Sequence, residues 1–150
     1  MAPSLREVAL FLHALRLARR AQDVERLPVP AVVEALSRLR GVPRRVDPQA
    51  ALRATLRATS RGERWFGWRG TCLVRALVLS ALVAGRGKVE LLIGVRRGEG
   101  EAAVDGHAWV RVDGAEVSLA GPAEAGDEGF APVAAIPVTH PPQRRSAATA

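Results

Sequence analysis

Two residues in this chain have the type and the setting for nucleophilic chemistry: Cys72, in GWRGTCLVRALVLSAL, and His107, in DGHAWVRV. Cys72 is the only cysteine among 150 residues, and it follows Thr71, a good helix cap. A cap at Thr71 puts the thiol in the first helical turn, where unpaired N–H groups and the helix dipole favour a thiolate. The helix behind it, LVRALVLSALVA, is apolar on nearly all sides. Such a helix is buried and makes a rigid mount. Taken alone, a free cysteine is more often just a small core residue. His107 changes the balance. It opens the strand HAWVRV, whose alternation puts Ala108, Val110 and Val112 on a core face and His107, Trp109 and Arg111 on the other. At the start of a strand an imidazole can reach a neighbouring helix end. A thiol with an imidazole base is the minimum for attack on an amide or ester.

The other histidines, His13 on an amphipathic stretch and His140 beside the C-terminal tail, read as structural or solvated. No spacing of ligands around Cys72 or His107 suits a metal, and no cofactor is called for. A single cysteine excludes an internal disulfide and suits a reducing compartment. The net charge of +7 comes mostly from arginines spread along the chain. With no nucleic-acid motif and no aromatic platform, they read as a solvated surface and not as a nucleic-acid site. The pair Arg44 and Arg45 suits contact with an acidic peptide. No apolar run reaches the roughly 18 residues of a membrane span, and the N-terminus lacks a signal-peptide pattern. The expectation is a soluble, cytoplasmic protein.

The elements that must position these residues follow from periodicity. Residues 4 to 26 predict a helix opened by a Ser4/Glu7 capping box. Leu5, Val8, Leu12, Leu15 and Ala18 form its apolar stripe, widened by Leu10, Phe11 and Leu17. Pro30 can begin a second helix and Gly41 end it; Asp47 and Pro48 begin a third in DPQAALRATLRAT. SRGERWFGWRG reads as a loop in which Trp65 and Trp68 pack the start of the Cys72 helix, with Trp68 also shaping a substrate cleft. VELLIGV predicts a buried strand. HAWVRV and AEVSLA predict a hairpin turning on Asp113-Gly114. FAPVAAIPV predicts a last edge strand. The layout is α+β: one domain over 1–138, with a helical part over 1–62 and a catalytic core over 63–138, then a disordered tail over 139–150.

The stretches GTCLVRALVLSALVAGRGKVELLIGVRR and DGHAWVRVDGAEVSLAG resemble the transglutaminase-like core of the lasso-peptide maturation peptidases. The shared pattern is a Cys opening a helix, a Gly, a strand ending IGV, and HAWV followed by a Val-Asp-Gly turn. The resemblance covers roughly Trp65 to Ile136. It implies a papain/transglutaminase-like fold and a cysteine peptidase that removes the leader of a ribosomally made precursor. Cys72 would be the nucleophile and His107 the base, with the Cys72 backbone N–H on the oxyanion. Trp109, on the His107 face, would wall the substrate or shield the pair from water. The implied partners are the precursor peptide, a separate leader-recognition protein and a peptide cyclase.

One part of the pattern is missing. A third, acidic residue is expected on the strand after the hairpin, near Ser118 to Ala120, and no acid stands there. Asp113 is too far along the strand, about 20 Å from His107, and Glu116 falls opposite Arg111 as its ion-pair partner. Ser118, Asp105 and Asp127 or Glu128 remain as orienting groups, or none. Another acyl-transfer enzyme of this fold, and a catalytically impaired peptide-binding module, are the competing readings.

Overall fold

The computed structural model describes residues 2–23, 27–38, 46–100, 103–117, 119 and 129–138. Its helices are α1 (Leu5–Asp23), α2 (Val29–Ser37), α3 (Pro48–Phe66) and α4 (Cys72–Val83). Its strands are β1 (Val89–Arg97), β2 (Val104–Val112), β3 (Ala115–Val117) and β4 (Ala131–Val138). The strands form one antiparallel sheet in the order β3-β2-β1-β4. Helix α4 lies between the α1–α3 pair and the sheet, packing more on β2 than on β1. The α+β layout is the one expected.

The helix starts are those the sequence predicts. Ser4 Oγ accepts from the Glu7 N–H, and the Glu7 carboxylate accepts from the Ser4 N–H, closing the capping box. Asp47 caps α3 by accepting from the Ala50 N–H, and Pro30 stands in the first turn of α2. The end expected at Gly41 lies outside the described residues.

Two expectations need correction. The buried face of α1 is Leu10, Ala14, Leu17, Ala18 and Ala21, whereas Leu5, Val8 and Leu12 are exposed. Side-chain size explains this. The facing surface of α3 is Ala51, Ala54, Thr55, Ala58, Thr59 and Gly62. Small residues along α3 and at Ala14, Ala18 and Ala21 of α1 permit close approach, with Leu10 and Leu17 buried on the same face. The second correction concerns SRGERWFGWRG. Its first seven residues continue α3 to Phe66. Gly67, at φ +66°, ends the helix, its N–H donating to Glu63 O while the Trp68 N–H donates to Gly62 O.

In the sheet, Val89, Leu91, Val110, Val112 and Val138 join the helix-side core, with Ala108 beside them. The predicted hairpin is present. Asp113 and Gly114 both have positive φ (+50° and +84°), as a type I′ turn requires. Val112 pairs with Ala115, and Arg111 stands opposite Glu116 at 3.5 Å. Asp113 also ties the turn to the start of β1, because its N–H donates to Lys88 O and its carboxylate accepts from the Lys88 N–H. β2 begins at Val104, earlier than predicted, because Val104 to Gly106 pair with Val95 to Arg97. β3 ends at Val117; Leu119 is buried outside it. β4 is the expected edge strand, and it adds to β1. The tail over 139–150, with His140, lies outside the described residues.

His13 sits half-buried on α1, its Nε2 without a hydrogen-bond partner. Burial, with a smaller push from Arg16, holds its pKa below the ordinary histidine value. A depressed folded-state pKa contributes stability above the unfolded value that is lost as pH falls through the folded one. His13→Leu should therefore flatten the loss of thermal stability between pH 7 and pH 5, read as the difference in Tm between the two pH values.

Candidate active site

Cys72 is the first residue of α4 and is half-buried. Thr71 caps the helix, its Oγ1 accepting from the Val74 N–H at 3.3 Å. Behind the thiol, every residue from Ala76 to Val83 is buried. The preceding loop is held from three directions. The Gln22 amide of α1 accepts from the Arg69 N–H at 2.8 Å and donates to Arg69 O at 2.7 Å. The Glu63 carboxylate of α3 accepts from the Gly70 N–H at 2.9 Å. Trp68 packs on Gly62, where any side chain would collide with its ring, and stacks on Phe66 at 4.7 Å. Trp68 therefore anchors the loop to α3. Trp65, expected to pack here too, is 56% exposed. Thr71→Ala should lower stability by about 1 kcal/mol, measured by urea unfolding.

His107 lies near the start of β2, half-buried, opposite Gly94 of β1. Its place relative to Cys72 follows from two lengths. From Val83, α4 turns back through Ala84 to Lys88 into β1, at the end of the sheet where Val89 pairs with Val112. From that end α4 rises about 17 Å to Cys72, and β2 runs back about 17 Å from Val112 to His107. Running alongside β2, on which it packs, a helix of that length would bring its first turn toward the His107 end of the strand. Alternation turns the ring to the sheet face away from α4, together with Trp109, and the residues that begin β2, Val104 to Gly106, are exposed.

On that face the imidazole lies between two aromatic rings. Trp109 is nearly parallel to it at 5.8 Å (20°), and Phe130 is tilted by 33° at 4.9 Å. Contacts of this kind contribute about 0.5–1.5 kcal/mol each beyond their buried area. The Arg96 guanidinium rests 4.4 Å from the Phe130 ring centre and reaches Asp105 at 3.3 Å. The indole of Trp109 lies over Gly94: a Cβ there would stand 2.6 Å from Trp109 Cη2 and 3.0 Å from the Ala131 carbonyl. The β1–β4 register shifts at the same place, between Ile93 and Gly94, a bulge of the kind that re-aims backbone beside functional sites.

Trp109 is on the His107 face, as expected, but it is only 3% exposed. It supports the imidazole and is not an open substrate wall. Asp105 is on that face too, with its carboxylate engaged by Arg96. Ser118, Asp127, Glu128, Arg44 and Arg45 lie outside the described residues. Among the described residues there is no cluster of metal-ligating side chains. No described helix is long and apolar enough to cross a membrane. A groove of about 400 Å³ between α2 and β4 contains none of the predicted site residues. Sequence reasoning missed Gln22, Glu63, Gly94 and Phe130. Only Gly94 carried a local signal, as a glycine inside a strand, which marks a bulge or a close approach.

A family model described as the transglutaminase-like superfamily matches residues 9–135. The chain belongs to that superfamily. Comparison with curated proteins and with solved structures gives no match. The superfamily includes cysteine peptidases and acyl-transferases. The transglutaminase-like match takes in most of the helical third as well as the core, and so includes Gln22 and Glu63 together with Cys72, His107 and Phe130. The helices that anchor the Cys72 loop are thus part of this transglutaminase-like domain, where the sequence resemblance had reached back only to Trp65.

Proposed function

We propose that this transglutaminase-like protein is a cysteine peptidase that removes the leader from a ribosomally made, lasso-type precursor peptide. What supports the reading is Cys72 at the capped first turn of a buried helix and His107 near the start of β2, both within a transglutaminase-like domain. In the reaction, His107 takes the Cys72 thiol proton, the sulfur attacks the scissile carbonyl, and the Cys72 backbone N–H faces the oxyanion. Collapse of the tetrahedral species breaks the C–N bond, and the His107 imidazolium gives its proton to the departing amine. Water then gives a proton to His107 and attacks the thioester, releasing the leader carboxylate and the thiol. The ring must meet the thiol around the exposed start of β2. Catalytic contacts commonly tighten only when substrate is bound.

A separate leader-recognition protein would deliver the precursor, and a peptide cyclase would act on the core peptide. The same pair supports acyl transfer to an amine in place of water, and the product tells the two apart. The experiment incubates precursor and recognition protein with the wild type, Cys72→Ala and His107→Ala, and reads products by mass spectrometry. A free leader carboxylate made only by the wild type supports the peptidase. A new amide supports the transferase. Identical products from all three proteins would end both readings.

A further inference from the structure

We infer that Phe130 is a positioning residue for His107, fixing the plane of the imidazole on which the proposed Cys–His pair depends. The inference rests on the Cys–His reading above and adds to it a residue that lies beyond the strand carrying the histidine. His107 shares its strand with Trp109, so their stacking follows from β-strand spacing alone. Phe130 is different. It precedes β4, two strands away in the sheet order, and directly follows Gly129, whose φ is +87°. That conformation favours glycine and turns the chain just before the ring.

Three features fix the Phe130 ring at 4.9 Å from the imidazole. The chain is pinned on one side by the pairing of Ala131 with Val95. The ring carries the Arg96 guanidinium at 4.4 Å. Arg96 is in turn held at 3.3 Å by Asp105, its cross-strand partner. On the other side, Trp109 is held down on Gly94. An imidazole between two anchored rings keeps one plane, whichever group its nitrogens bond. Preorganisation of this kind matters because small misplacements of a catalytic group are costly in rate.

The test uses the single cysteine, so that all alkylation by iodoacetamide reports on Cys72. Rates at neutral pH are compared for the wild type, His107→Ala, Phe130→Leu and Phe130→Tyr. Expected are a slow His107→Ala, a Phe130→Leu slowed by about tenfold, and a Phe130→Tyr close to wild type because it keeps the ring. The NMR signals of the His107 imidazole C–H protons should move in Phe130→Leu, as a ring current is removed, and stay near their wild-type positions in Phe130→Tyr. If Phe130→Leu fails to fold, Phe130→Met takes its place with the same expectations. Slow His107→Ala with wild-type rates and imidazole signals in Phe130→Leu would overturn the positioning role and leave the Cys–His pair standing. A wild-type rate in His107→Ala would overturn the pair itself.

Discussion

His107→Ala is expected to keep its fold and to lose turnover of the precursor by about three orders of magnitude, while Cys72→Ala loses it entirely. The difference follows from the roles. In the proposed reaction the sulfur forms the covalent bond, and no second cysteine exists to replace it. In that proposal the imidazole moves protons, which water does slowly in its absence. Stability should separate these effects from unfolding. Cys72 is half-buried at a helix end, so its truncation removes little packing. His107→Ala gives up two ring contacts, about 1–3 kcal/mol together. Urea unfolding and turnover measured on the same preparations decide the matter. A fall in turnover that merely tracks the fraction unfolded would remove His107 from the chemistry.

Gly94→Val is expected to be the most damaging single change near the site, lowering stability by about 3 kcal/mol or more. Gly94 is buried in β1, opposite His107. Its missing side chain makes room for the indole of Trp109 on one side and the Ala131 carbonyl on the other. A branched side chain there must displace the ring, the neighbouring β4 backbone, or both. Displacing Trp109 also releases the imidazole it stacks on. Turnover should therefore fall by more than the loss of folded protein explains. Chemical unfolding gives the stability term, and activity per folded molecule gives the rest. Trp109→Phe, which keeps an aromatic ring and removes a buried indole N–H that has no acceptor, should be the milder change in both measurements.

The elements that hold the candidate site were legible where a local rule decides them. Thr71 and Asp47 are caps because their side chains satisfy N–H groups a few residues away, and that depends on nothing else in the chain. The Asp113-Gly114 turn follows from the backbone angles it needs. Alternation along HAWVRV set the two faces of β2 correctly, and with them the shared face of His107 and Trp109. The nucleophile candidate, the base candidate and the motif around each were therefore present in the one-dimensional pattern.

The rest depended on which surfaces meet. The stripe from Leu5 through Val8 to Leu12 looked like a core face, yet α3 offers alanines, threonines and a glycine, and the side of α1 that is buried carries Ala14, Ala18 and Ala21 with Leu10 and Leu17. Hydrophobicity is readable from one helix, whereas shape complementarity needs two. The anchoring of the Cys72 loop by Gln22 spans 47 positions, and the approach of Phe130 to His107 requires the chain to return along the far side of β1. Neither is encoded by spacing, because each is a contact between segments whose distance is set only when the sheet order is set. Sequence alone thus determined the reactive types and their local mounts. Tertiary packing decided what holds them still.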